Sequence, residues 1–241
     1  MSVGEPTDEK LVQDYVSKFY PKRYSGTGFL YHSRIVTRML EGVMFRDGKR
    51  NDKILDVGCG NGFVSQLYPN HDVVGIDISD GMLAHNPYTW IKAPVEAIPF
   101  PDQTFDFVVC RSLLHHLEDP AVGLREMYRV LKPGGRWVCW ETNFSLCNDL
   151  FRRLARLTPR FSHWHKNWKA QELIALIKSL HFQIVSVDYH GHLSYPLIAF
   201  PDILNLHLPL TLARWLIHFD DWLAHTPLAP LAWSVMIKTT K

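Results

Sequence analysis

Two carboxylates, three glycines and a pair of histidines are the residues of this chain whose types and spacing suit chemistry. Asp56 closes the run Ile54-Leu55-Asp56, and after Val57 come Gly58, Cys59, Gly60, Asn61 and Gly62, with glycine at alternate positions. Fifteen residues after Gly62, Asp77 closes a second apolar run, Val73-Val74-Gly75-Ile76. A strand that feeds a glycine turn, with an acid at the tip of the next strand, is the way an open parallel sheet holds a nucleoside-bearing ligand. The glycines admit backbone angles closed to other residues and allow close approach. A helix opening near Phe63 would aim its first amides at an anionic group. His115 and His116 titrate near neutrality and are the natural proton acceptors.

A dinucleotide fingerprint, G-x-G-x-x-G/A, needs a small last residue so that helix can pack on strand. Counted from Gly58, that position is Phe63, which argues against a nicotinamide oxidoreductase. The alternate glycines behind Asp56 instead resemble the first motif of class I S-adenosylmethionine (SAM) dependent methyltransferases. Three further segments follow in the order that this family uses. Ile98-Pro99-Phe100-Pro101-Asp102-Gln103-Thr104-Phe105-Asp106-Phe107-Val108-Val109 looks like its loop and fourth strand. Leu114-His115-His116-Leu117-Glu118-Asp119-Pro120 looks like the segment after that strand, and Leu131-Lys132-Pro133-Gly134-Gly135 like the turn into the fifth. Together they span about residues 50–142 and are closest to the small-molecule branch that includes quinone-biosynthesis enzymes.

The resemblance implies SAM as methyl donor and roles for particular residues. Asp56, Gly58, Cys59 and Gly60 would line its methionine part, and Asp77 would accept hydrogen bonds from both ribose hydroxyls. Ile78, Met82, Val95 and Glu96 fall where the family meets the adenine end. Many members place an acid before the E-x-L-P-F segment; here Pro94 holds that position and offers neither carboxylate nor amide proton. The Val95 amide or apolar contacts from Ile78 and Met82 would then hold the base. Arg34, near Tyr24 and Tyr31, suits the methionine carboxylate with its forked guanidinium. Arg111 follows the fourth strand, where a cation near a sulfonium is unwelcome, so it is expected to turn away or pair with an acid. His116 or His115 would deprotonate an alcohol, phenol or amine acceptor; a structural or donor-contacting role is the alternative for both.

These residues need an α/β scaffold to bring them together. Apolar runs predict strands at 53–57, 72–76, 90–92, 105–110, 136–141, 182–188 and 233–238, with helices at 9–20 and 31–41 before the first and others between successive strands. That alternation predicts a Rossmann-like, doubly wound, mostly parallel seven-stranded sheet, and the family adds an antiparallel last strand. One domain over 1–241 is expected: N-terminal helices at 1–50, a SAM-binding core at 51–142, and helical insertions at 143–169 and 191–230 capping the site. The first insertion carries Arg152, Arg153 and Arg156 and an aromatic-histidine patch from Phe161 to Trp168; the second is apolar and broken by prolines.

Composition narrows the partners. A net charge of +2 on 241 residues, without a lysine-arginine stripe, argues against nucleic acid. Asp202, Arg214, Asp220 and Asp221 interrupt the second insertion, which excludes a membrane span there and leaves peripheral membrane contact open. The polar first ten residues lack the apolar core of a signal peptide, and four cysteines without metal spacing read as reduced thiols, so a cytoplasmic monomer or homodimer is expected. Ser112-Leu113-Leu114-His115-His116 lacks the carboxylates that magnesium or calcium would need, and the other histidines lack the partners of a zinc site, so no metal is expected. The sequence thus implies SAM-dependent methylation of a small, apolar or aromatic acceptor, at oxygen first and at nitrogen or carbon as alternatives. The rival readings are a SAM-fold protein of another reaction class and a non-catalytic SAM-binding module.

Overall fold

The computed structural model describes residues 26–40, 52–69, 71–145, 168–199 and 208–241. The 9–20 helix, Tyr24, Cys147 and most of the first insertion lie outside them. Helix α1 (Gly26–Leu40) is followed by β1 (Lys53–Val57), α2 (Phe63–Leu67), β2 (Asp72–Asp77), α3 (Asp80–Leu83), β3 (Trp90–Lys92) and β4 (Phe105–Arg111). Then come α4 (Pro120–Val130), β5 (Leu131–Thr142), α5 (Ala170–Ser179), β6 (Gln183–His190), α6 (Leu210–Leu223) and β7 (Ser234–Thr240).

The strands form one seven-stranded sheet in the order β3-β2-β1-β4-β5-β7-β6. β7 alone runs antiparallel, to β5 on one side and β6 on the other, as the resemblance implies. The chain reverses direction across the sheet at β1, which creates the crevice where open α/β sheets take ligands. All seven strands match the expected ones to within a few residues, and only β5 differs in kind. Its ladder to β4 starts at Leu131, breaks, and resumes at Arg136, so Lys132 to Gly135 form an excursion within the strand rather than a turn before it. Gly134 sits there with φ 73°, a left-handed conformation suited to glycine.

Alternating side chains bury both faces, as a sheet covered by helices requires. On one face Leu55, Val57, Val108, Trp137, Cys139, Val235 and Ile237 pack against α4 and α5. On the other, Ile54, Phe107, Val109, Val138, Trp140 and Met236 meet α1 and α6. α1 contributes Tyr31, Ile35, Val36 and Met39, one apolar stripe at helical spacing. Cys59, Cys110 and Cys139 are buried free thiols. No helix of the described residues is long and apolar enough to cross a membrane.

The ends of β5 and β6 and the start of β7 share the carboxyl edge of the sheet, since Thr142 and His190 both pair with Ser234. The second insertion leaves and returns at this edge. Asn143 ties the bases of both insertions together there: its Nδ2 donates to Pro230 O and Ala232 O, and its Oδ1 accepts from Ala170 N.

Candidate active site

The glycine loop is held by the strand beside it. Gly58 N and Cys59 N both donate to Ile76 O, at 2.9 and 3.0 Å, which draws the end of β1 against the end of β2. The Cys59 sulfur packs on Gly75, where an added Cβ would collide with it; it also donates to Gly60 O at 3.9 Å and accepts from Asn86 Nδ2 at 3.6 Å. Gly58 has φ 75° and Gly62 φ 81°, and a Cβ on Gly62 would strike Asn86. Asn86 is buried; its Nδ2 donates to Gly60 O at 3.0 Å and its Oδ1 accepts from Tyr88 N at 3.0 Å. It staples the loop from outside the motif.

Asp77 is clamped at both oxygens. Oδ2 accepts from Gly60 N and Oδ1 from Ser79 N, each at 2.9 Å. The carboxylate is thereby fixed in orientation. Ser79 caps α3 by accepting from Met82 N, which sets the half-buried Ile78 and the buried Met82 beside Asp77. Val95 and Glu96 lie in a short 3₁₀ turn behind Pro94; the Val95 side chain is buried near Gly123 of α4 and Glu96 is exposed. Arg129 steadies the loop that follows, donating to Ile98 O, Phe100 O and the carboxylates of Asp102 and Glu126.

Burial pushes the Asp56 carboxyl up to about 7, with Arg111 opposing the rise and Asp77 adding to it. Arg111, at the end of β4, lies over the Phe63 ring at 5.2 Å. Phe63, the residue that breaks the dinucleotide pattern, is itself buried and meets Phe29 of α1 edge-on. Arg34 goes elsewhere: it pairs with Asp221 of α6, which also binds Arg38 at 2.8 Å, so the structure places Arg34 in an α1–α6 ion pair.

The histidines follow β4 in a 3₁₀ turn, Leu114–His116. Glu141, fully buried at the end of β5, holds this turn. Its Oε1 accepts from Leu113 N and Leu114 N at 2.8 and 2.7 Å, and its Oε2 accepts from His115 Nδ1 at 2.6 Å. Burial would raise the Glu141 carboxyl, but His115 and the two amides outweigh it and hold it below the usual range. His115 is buried, with His116 packed on it at 4.0 Å between ring centres. Ser112, just before the turn, adopts φ 53°, a strained conformation for a residue with a Cβ. Leu113 of the same segment lies 3.1 Å from where a Cβ on Gly58 would be, so the histidine turn and the glycine loop adjoin. Among the described residues no group of three or more His, Cys, Asp or Glu could hold a metal ion.

A family model described as "Methyltransferase domain" matches residues 55–139, the stretch that carries both loops. Residues 55–139 thus match a methyltransferase domain. One curated relative, a ubiquinone/menaquinone biosynthesis C-methyltransferase (UbiE) of Geobacter sulfurreducens, is 44% identical over 119 residues, or 42% of this chain and 46% of that protein. The chain thus spans about half the length of the first curated relatives it matches. Two solved structures share the fold over nearly the whole chain. A SAM-dependent methyltransferase of Thermotoga maritima, titled a possible histamine N-methyltransferase, has TM-score 0.66 at 19% identity and covers 97% of each chain. Magnesium protoporphyrin IX methyltransferase of Synechocystis PCC 6803, with bound SAH, has TM-score 0.65 at 15% identity and covers 97% of this chain and all of that one, 100%.

The methyl donor of such a domain is SAM, and the residues present fit it. Gly58 and Gly62 take left-handed angles that let the loop pass close to Leu113 and Asn86, and the Asp77 carboxylate is held in a fixed orientation beside it. Asn61 Oδ1 is a buried acceptor with no hydrogen-bond partner among the described residues, suited to an ammonium donor. Asn86 and Glu141 were not legible in the sequence because neither belongs to a motif. The nearest signal is position: Glu141 ends an apolar strand as Asp56 and Asp77 do.

Proposed function

We propose that this chain transfers the methyl group of SAM to a small, apolar acceptor bearing a phenol- or quinol-like ring. The observation that carries this reading is the meeting, beside one glycine loop, of a clamped carboxylate, Asp77, with a buried histidine–carboxylate pair, His115 and Glu141. SAM, when bound, supplies a methyl on a sulfonium, which reacts by in-line displacement. The chain's part is then mostly alignment and exclusion of water. Asp77 holds the ribose; Gly58, Gly60 and the Cys59 backbone line the methionine portion; Ile78, Met82 and Val95 flank the adenine.

Glu141 accepts the Nδ1 proton of His115, which leaves Nε2 as the basic nitrogen of the neutral ring. His115, or His116 packed against it, takes the acceptor's hydroxyl proton as the methyl is transferred. A deprotonated phenol is nucleophilic at oxygen and at the neighbouring ring carbon; attack from carbon breaks the S–CH3 bond, and the ring carbon must then release its own hydrogen as a proton while the oxygen takes one back, which restores the aromatic ring. Motif resemblance points first to oxygen; the carbon specificity in the name of the Geobacter relative favours a ring carbon, and carbon is the reading taken here. Residues 51–142 act as the donor-binding core, with 143–169 and 191–230 on the acceptor side. The base of the second insertion is tied to the core by aromatics: Tyr195 stacks on Trp233 at 5.5 Å and meets Tyr31 and Trp140.

The test is incubation with carbon-13 methyl donor and a demethylated quinol, with the product read by NMR. An aryl-methyl signal is expected, and a methoxy signal would move the acceptor atom back to oxygen. His115→Gln keeps a donor for Glu141 and removes the base, and should slow turnover about 100-fold or more with little change in donor affinity. Undiminished turnover in both His115→Gln and His116→Gln would sink the base assignment.

A further inference from the structure

Helix α6 (Leu210–Leu223) is apolar on both faces: it buries Ala213, Leu216, Ile217 and Leu223, and it also exposes large apolar rings. Its two acids face the protein. Asp220 is 4% exposed and accepts from Leu193 N, Ser194 N and Ser194 Oγ, while Asp221 binds the two α1 arginines. Its outward face carries large apolar rings: Trp215 is 58% and Trp222 61% exposed, with Leu212 beside them. Trp215 stacks on Phe219 at 5.3 Å and Phe219 meets Trp222 at 5.4 Å, so the rings form one continuous ladder along the helix.

Helices of water-soluble surfaces place charge outside and apolar side chains inside. Burying acids while leaving two tryptophans in water lowers stability unless the outer face meets an apolar phase. The charge on that face narrows what the phase is. Arg214 and His218 are the ionisable residues there, both exposed, and neither 191–199 nor 224–233, the described stretches flanking α6 in the insertion, contains an acid. Exposed Leu193, Leu197, Leu228 and Leu231 extend the apolar surface into these stretches, which are joined where His192 Nε2 donates to Leu228 O at 3.2 Å. Tryptophan beside an arginine is the composition of a helix lying in the headgroup layer of an anionic bilayer. A protein partner of ordinary surface would bring both signs of charge, and among the described residues this face has no acid to answer the positive ones.

We infer that the outward face of α6 docks on an anionic lipid surface. The insertion that carries α6 starts and ends at the carboxyl edge of the sheet, so docking sets the reactive edge toward the bilayer. An apolar ring compound dissolved in lipid then reaches the site without crossing water. This last step rests on the acceptor proposed above; the docking itself does not.

Flotation of the full chain with phosphatidylcholine vesicles, plain or doped with phosphatidylglycerol, tests it without donor or acceptor. The chain should float with the doped vesicles and stay down with the plain ones. Trp215→Ser/Trp222→Ser should return to background, and Arg214→Ala should bind about fivefold more weakly. Both variants alter only exposed side chains, so an unchanged thermal unfolding midpoint and unchanged calorimetric SAM binding show that they are folded. Failure of the wild-type chain to float, or equal flotation of the double variant, would overturn the inference. So would a lipid-free dimer in sedimentation velocity that the double variant dissolves, because a second copy would then be the occupant. Loss of methyl transfer with flotation intact would instead count against the proposed reaction alone.

Discussion

Asp56 stands nearest a balance point among the site's carboxylates, because burial lifts it to about 7. Between the ordinary value of 3.8 and about 7, the folded chain keeps a proton that the unfolded chain has released, so stability falls as pH rises through that window. Asp56→Asn should remove this slope and raise stability near pH 8 by up to ~4 kcal/mol, read from denaturant midpoints across pH. Glu141 has the opposite sign. Its carboxyl is held below the usual range, so its contribution is full above the unfolded value and disappears as pH drops through the folded one. Glu141→Gln should cost about 3 kcal/mol at neutral pH and less as the solution becomes acid. Equal pH profiles for the two variants would contradict these opposite assignments.

At the scale of elements, the glycine loop depends on Asn86, which lies between α3 and β3. Asn86→Ala strips Gly60 O and Tyr88 N of their partner and should destabilise the fold by about 1–3 kcal/mol in thermal unfolding, with weaker SAM binding. A variant as stable and as tight as wild type would show that the loop holds itself. The strands and the loop were legible because each is local: an apolar run, a glycine spacing, an acid at the tip. Glu141 and Asn86 were not, because their roles arise only from register. Glu141 meets the histidine turn once β5 lies beside β4, and Asn86 reaches Gly60 across 26 residues of chain. For Arg34 the resemblance implies a ligand contact, with a solvent-facing helix arginine as the equal alternative; its partner, Asp221, is 187 residues away and carries no local signal. The apolar outward face of α6 was hidden too, since composition cannot say which side of a helix is covered.

At the scale of the molecule, the order β3-β2-β1-β4-β5-β7-β6 places the crevice beside β1 and the insertion bases on one edge. The proposed donor residues come from β1, β2 and the turn after β4, all within the matched stretch 55–139. The proposed acceptor side draws on α1, the end of β5 and the insertion before β7, outside most of that stretch. One fold can therefore keep its methyl donor while its acceptor changes. That division makes donor binding at Asp77 the claim on which the account rests. Calorimetric titration with SAM and with its demethylated product tests it most directly. Both should bind the wild-type chain, and Asp77→Ala should weaken both by about 100-fold or more, as two lost charge-assisted hydrogen bonds require. Absence of binding by either ligand, or an Asp77→Ala variant with wild-type affinity, would contradict it.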